Sequence, residues 1–134
     1  MPPVAPPVPP AGAVREATQV FSDRSAAVER KIVALLVTYS WKPGGEVYFV
    51  REGRNFIGRQ LDCEIAVPGD PRMSARHATI LFRSDGSREF HLVDERSQNG
   101  TYVNGRVVET LERLENYCSI QAGDTHFRFV MIDP

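Results

Sequence analysis

Beyond Ile32 the chain breaks into short runs of β-type sequence, each stopped by a cluster of Gly, Pro, Asn, Asp or Ser. Ile32 to Tyr39 is apolar and rich in β-formers, and it stops at Pro43-Gly44-Gly45. Glu46 to Val50 follows, then Asn55 to Ile57, which ends at Gly58. In Cys63 to Val67 the residues Cys63, Ile65 and Val67 share one face, with Glu64 and Ala66 on the other. His77 to Phe82 precedes a turn at Ser84-Asp85-Gly86-Ser87, after which Phe90, Leu92 and Asp94 alternate with His91 and Val93. Thr101 to Val103, Tyr117 to Gln121 and Thr125 to Ile132 complete the set. About ten short strands with turn signals every ~6–12 residues predict a β-sandwich or barrel. No amphipathic helix of ~10–15 residues separates them, which argues against a βαβ sheet.

The first thirty residues read differently. Six of the ten prolines fall between Pro2 and Pro10, and large apolar residues are sparse. Such sequence favours polyproline II and buries too little surface to offset its ordering entropy. The pattern therefore predicts a flexible arm over 1–30 and one globular domain over 31–134. Within the arm, Ser25 to Lys31 holds enough helix formers to predict one helical turn.

Composition adds mostly exclusions. Apolar residues make up 42% and charged residues 25%, with a net charge of −1, so no global field draws the chain to nucleic acid or an anionic membrane. No apolar run approaches the ~20 residues of a spanning helix, and the Met-Pro-Pro-Val start lacks a secretory pattern; a cytoplasmic location is expected. Cys63 and Cys118 have no close-spaced partner, which predicts two separate core thiols rather than a disulfide or a zinc site. Gly-x-Ser-x-Gly, His-Glu-x-x-His and Walker-type loops are all missing, and His77, His91 and His126 are scattered. The chain reads as a non-enzyme that needs no metal or cofactor.

Three turns carry the candidate chemistry: Phe56-Ile57-Gly58-Arg59, then Ser74-Ala75-Arg76-His77, then Ser97-Gln98-Asn99-Gly100-Thr101 followed by Val103-Asn104-Gly105. Each alone has a bland reading. Asn-Gly pairs make hairpin turns, and an arginine after a strand end is usually a surface charge. Together, in this order, they resemble the forkhead-associated (FHA) family over about residues 32 to 132. Gly-Arg, Ser-x-x-His fifteen residues later, and Asn-Gly-Thr-x-x-Asn-Gly form a specific combination.

The resemblance implies an all-β, eleven-stranded sandwich of two twisted sheets whose loops at one end bind phosphothreonine. A phosphothreonine presents about −2 charge and three acceptor oxygens. Arg59 offers a planar donor fork, Ser74 a short hydroxyl, and Asn99 both a donor and an acceptor for the peptide backbone. Arg76 and Gln98 join the expected contact set. Gly58, His77, Gly100, Asn104 and Gly105 are expected to shape the loops, with Gly58 permitting a turn and His77 bracing the Ser74 loop. Three positions depart from the family. Ala75 stands where a polar or basic residue often adds a phosphate contact, leaving that role to Arg76 or Arg72. Gln98 replaces a hydroxyl residue of some relatives. Asn116-Tyr117-Cys118 replaces an Asn-Gly-Asp turn.

The arm carries one more signal. Glu16-Ala17-Thr18-Gln19-Val20-Phe21 resembles the phosphorylation motif in the arms of small actinobacterial FHA regulators, with Ala17 in place of the first threonine of a pair. That resemblance implies a Ser/Thr kinase as partner and Thr18 as a phosphosite whose product occupies an FHA pocket. Thr18 lies 14 residues before Ile32, a reach of at most ~46–50 Å. Against a domain diameter of roughly 35 Å, that little slack predicts arm exchange between two molecules. The alternative reading is a phosphate-independent scaffold that contacts its partner through a sheet face, or a module of a larger signalling protein.

Overall fold

The computed structural model describes residues 30–83 and 85–132. The predicted arm with Thr18 lies outside them except for Arg30, and of the helical turn expected over 25–31 only Arg30 and Lys31 lie within them. The described chain is all β. Eleven strands run in the order β1 Ile32–Thr38, β2 Glu46–Arg51, β3 Gly53–Gly58, β4 Ile65–Ala66, β5 Ala78–Phe82 and β6 Phe90–Asp94. β7 Thr101–Val103, β8 Arg106–Val107, β9 Leu111–Arg113, β10 Ser119–Ala122 and β11 Thr125–Met131 follow. They form a six-stranded sheet, β2-β1-β11-β10-β7-β8, and a five-stranded sheet, β4-β3-β5-β6-β9. No helix among the described residues is long and apolar enough to cross a membrane.

The period-two pattern sets which side chains meet. Leu36, Phe127, Phe129 and Ile120 point inward from the six-stranded sheet, and Ile57, Ile80, Leu92 and Phe90 face them from the other. Phe90 lies at the centre, with ring centroids 4.7 Å from Phe82 and 5.0 Å from Phe129. Cys63, Ile65 and Val67 are buried as their alternation predicts. Only Ile65 and Ala66 pair with a neighbour, and they do so parallel to β3. Asn55 is a buried polar residue inside β3 with its amide satisfied: Nδ2 donates to the carbonyls of Arg51 and Ile80, and Oδ1 accepts from Arg51 N.

Two strands escape the sequence pattern. β8 and β9 are two and three residues long, too short for alternation to register, and they bring the total to eleven. A third difference is physical. The run expected from Tyr117 begins as β10 only at Ser119, because Tyr117 adopts φ +69°, the left-handed region that an L side chain disfavours. This is the middle of the Asn116-Tyr117-Cys118 turn, where the related turn carries glycine. The tyrosine is held in this turn by Tyr117 N donating to Phe129 O at 2.7 Å and by Asn116 Oδ1 accepting from Met131 N. The Tyr117 ring is exposed, so little packing offsets the strain. Tyr117→Gly is expected to stabilise the domain by about 1 kcal/mol, raising the melting temperature by about 4–8 °C. An unchanged or lower melting temperature in calorimetry would show that the tyrosine compensates elsewhere.

Candidate functional site

The loops that follow β3, precede β5 and follow β6 are stitched to one another by short hydrogen bonds. Arg59 N donates to Ser74 O at 3.0 Å, and Gln60 N donates to Ala75 O at 3.2 Å. These bonds draw the Arg59 loop flat against the Ser74 loop. The approach is so close that a Cβ on Gly58 would overlap the Ala75 carbonyl and meet Cys63 Sγ at 2.9 Å. Glycine is therefore required here by packing at the end of β3, rather than by the turn that the sequence suggests.

His77 joins the second and third loops. It is fully buried. Its Nδ1 accepts from Ser74 N at 3.0 Å, which leaves Nε2 to carry the proton and donate to Gly100 O at 2.8 Å. One imidazole thus fixes both the serine loop and the Asn99-Gly100 turn, where Gly100 takes φ +83°. Ser74 Oγ accepts from Gln98 N at 3.1 Å, so its hydroxyl hydrogen is left to donate outward. Asn99 Nδ2 donates to Arg72 O at 2.9 Å, while its side-chain oxygen makes no hydrogen bond among the described residues. Asn104 and Gly105, at φ +51° and +82°, form the hairpin turn between β7 and β8, and Asn104 Oδ1 accepts from Ser119 N.

Two aspartates that sequence reasoning missed hold this framework. Asp70 is fully buried. It accepts from Arg72 N at 2.9 Å, Asp124 N at 2.9 Å and Thr125 Oγ1 at 2.6 Å. It thereby ties the serine loop to the turn between β10 and β11, and Trp41 Nε1 donates to the same Thr125 hydroxyl. Asp94 accepts from Ser97 and from Thr101 Oγ1 across the third loop. In sequence Asp70 looks like an ordinary turn residue and Asp94 like the end of an alternating strand; an aspartate two residues before Arg72, or three before Ser97, was the available signal.

Arg59, Ser74, Gln98 and Asn99 thus sit on one surface of joined loops. Arg59 is exposed, and among the described residues no carboxylate pairs with its guanidinium. Arg76 is placed otherwise. Its guanidinium stacks over the Phe56 ring at 4.3 Å and pairs with Asp62 at 3.1 Å, on the flank of the five-stranded sheet. Arg72 pairs with Asp124 at 3.3 Å. Cys63 and Cys118 are free and buried, and burial pushes both thiols above their ordinary range, which makes them poor nucleophiles. No group of three or more metal-ligating side chains stands together among the described residues.

A surface of hydrogen-bonded loops that offers an arginine without an ion pair among the described residues, a hydroxyl donor and an amide acceptor suits a phosphate attached to an extended chain. Comparison with known proteins points the same way. The FHA domain model matches residues 55–125. The glycogen accumulation regulator GarA of Mycolicibacterium smegmatis is 36% identical over 99 residues, which are 74% of this chain and 58% of that relative. The chain therefore spans little more than half the length of that curated protein. An FHA domain solved in a study of phosphothreonine-dependent FHA domain interactions superposes with a TM-score of 0.67 at 29% identity, covering 76% of this chain and 99% of that one. The FHA domain of FhaA, solved with the intracellular domain of Rv3910, gives 0.63 at 30% identity over 72% and 98% of the two chains.

Proposed function

The chain belongs to the FHA domain family, and on that premise we propose that it is a phosphothreonine-dependent protein-binding module in Ser/Thr kinase signalling, acting by recognition rather than catalysis and working in the cytoplasm. The observation that carries this reading is the exposed Arg59 guanidinium, without a carboxylate partner among the described residues, beside the Ser74 loop. Arg59 forks onto the phosphate, the Ser74 hydroxyl donates to another of its oxygens, and Asn99 receives a backbone N–H of the peptide. Gln98 borders the same surface. Arg76 is a secondary contact, since it must exchange Asp62 for the ligand. Gly58, His77, Gly100, Asn104 and Gly105 hold the loops in shape.

The test is a titration with matched peptides carrying phosphothreonine, phosphoserine or unmodified threonine. The phosphothreonine methyl is worth about 0.8 kcal/mol if it is buried, so phosphothreonine is expected to bind about fourfold more tightly than phosphoserine. The unmodified peptide is expected not to bind. Equal affinity for the two phosphopeptides would remove the methyl niche, and binding of the unmodified peptide would remove the function.

The finer reading is self-regulation. A Ser/Thr kinase phosphorylates Thr18, and the phosphorylated arm enters an FHA pocket in competition with outside ligands. Lys31 O accepts from Glu52 N, so the domain's entry lies by the start of β3 and Arg59 by its end, roughly 23 Å away at ~3.3 Å per residue. Thirteen residues from Thr18 to Lys31 reach at most ~43–47 Å. Closure within one molecule therefore does not demand a fully extended arm, and it stands beside the exchanged dimer as a second form of the same switch. Protein phosphorylated at Thr18 is expected to lose phosphopeptide binding. Light scattering separates the forms: a constant monomer is closure, and a concentration-dependent dimer is exchange. Undiminished phosphopeptide binding would eliminate both.

A further inference from the structure

The outer face of the six-stranded sheet is apolar and carries charge of one sign. Strand register sets Phe49 beside Leu35 and Val130 in one row, and Val47 beside Val37 and Arg128 in the next. Phe49 and Val47 are 50% and 52% exposed, and Leu35, Val37 and Val130 are half-buried. Contiguous open apolar surface of this kind marks an interaction site more often than it marks ordinary exposure. The charged residue in these rows is Arg128, with the His126 imidazole beside it, both exposed; Arg51 lies over the Phe49 ring at 5.9 Å. The outward positions that β10 and β7 add, Ser119, Gln121 and Tyr102, are neutral. No Asp or Glu stands among these outward positions.

A groove of about 460 Å³ opens on this face between Val37, Tyr39, His126 and Arg128. Its polar groups are poised to donate. Arg128 Nη1 donates to Tyr117 O at 2.7 Å, which pins the guanidinium while its other N–H groups have no partner among the described residues. The His126 ring is likewise unpaired among them; only its backbone N is used, donating to Ser40 Oγ at 2.9 Å.

We propose that this sheet face is a second interaction surface, separate from the Arg59 loops. Its occupant is a partner segment whose apolar side chains cover Leu35, Val37 and Phe49 while a carboxylate enters the groove beside Arg128 and His126. Charge complementarity selects that chemistry, because a guanidinium pinned through one N–H, with no carboxylate at the outward positions around it, favours an acidic group. It also disfavours a second copy of this chain: a two-fold contact presents the same patch to itself, and here that patch brings cations without carboxylates. Arg59 follows a strand of the opposite sheet, β3, so a phosphothreonine ligand and this second partner can be held together.

The test is a nuclear magnetic resonance titration of the full chain with a short amphipathic peptide of leucine and glutamate, and with its counterpart carrying lysine for glutamate. The leucine–glutamate peptide is expected to shift the amide signals of Val37, Phe49 and Arg128 and to bind about tenfold more tightly than the lysine peptide. Phe49→Glu is expected to lose that binding, Arg128→Glu to reverse the preference between the peptides, and Arg59→Ala to leave both unchanged. Equal binding of the two peptides, no binding, or shifts confined to the Arg59 and Ser74 loops would overturn the proposal. So would a wild-type dimer in sedimentation that Phe49→Glu disperses, since a second copy would then own the face.

Discussion

Replacing Arg59 with alanine is expected to abolish phosphopeptide binding while the melting temperature stays within a few degrees of wild type. The side chain is exposed and makes no ion pair among the described residues, so its removal leaves no buried group stranded. The loop is fixed by Arg59 N on Ser74 O and by the closeness of Gly58 to Ala75, neither of which involves the guanidinium. In the complex the loss is large. Truncating one partner of a desolvated, charge-assisted pair costs about 2–5 kcal/mol, or roughly 30-fold to several-thousand-fold in affinity. Arg59→Lys keeps the charge but not the fork, and should recover only part of it. Wild-type affinity of Arg59→Ala in titration calorimetry would take this residue out of the site.

Asp70→Ala is expected to cost about 3 kcal/mol of stability or more. The carboxyl is fully buried and accepts three hydrogen bonds. An alanine leaves the buried Thr125 hydroxyl and the part-buried Arg72 N and Asp124 N without it, and a stranded donor costs about 1–3 kcal/mol where water cannot reach it. For a domain of this size that lowers the melting temperature by about 12–24 °C. The same change should weaken phosphopeptide binding at a temperature where the protein is still folded, because Asp70 holds Arg72 and the Arg72 carbonyl holds Asn99. Trp41, the single tryptophan, reports locally through its bond to Thr125, and its fluorescence should shift in the variant. A melting temperature unchanged to within a few degrees would mean that water replaces the carboxyl.

The strands of the domain were largely legible as sequence, because burial on one face of a sheet imposes a period of two that Phe90 to Asp94 or Cys63 to Val67 displays directly. β8 and β9 were not, since two or three residues such as Arg106 and Val107 hold no period. The residues that face a ligand, Arg59, Ser74 and Asn99, stood out because their types match phosphate chemistry in a fixed order. The residues that place them did not. Asp70 looks like a turn former, and Asp94 like the last residue of a strand, until the fold closes donors around them from 54 and 7 positions away. Gly58 was recognisable as required, but its reason, the carbonyl of Ala75, belongs to the tertiary structure. Arg76 reads as a phosphate ligand in sequence, and in the fold its guanidinium rests on Phe56 and Asp62. The left-handed Tyr117 has no sequence signature, because its bonds to Phe129 and Arg128, and that of the adjacent Asn116 to Met131, come from a strand that the fold brings alongside.

The central claim is that phosphothreonine on an extended partner segment is what this surface recognises. It is tested most directly by passing an oriented phosphothreonine peptide library over the purified chain and sequencing what is retained, before and after phosphatase treatment. The account predicts a retained pool with defined preferences beside the phosphothreonine, lost entirely after phosphatase treatment and absent on the Arg59→Ala protein. Retention of the same pool after dephosphorylation would contradict it.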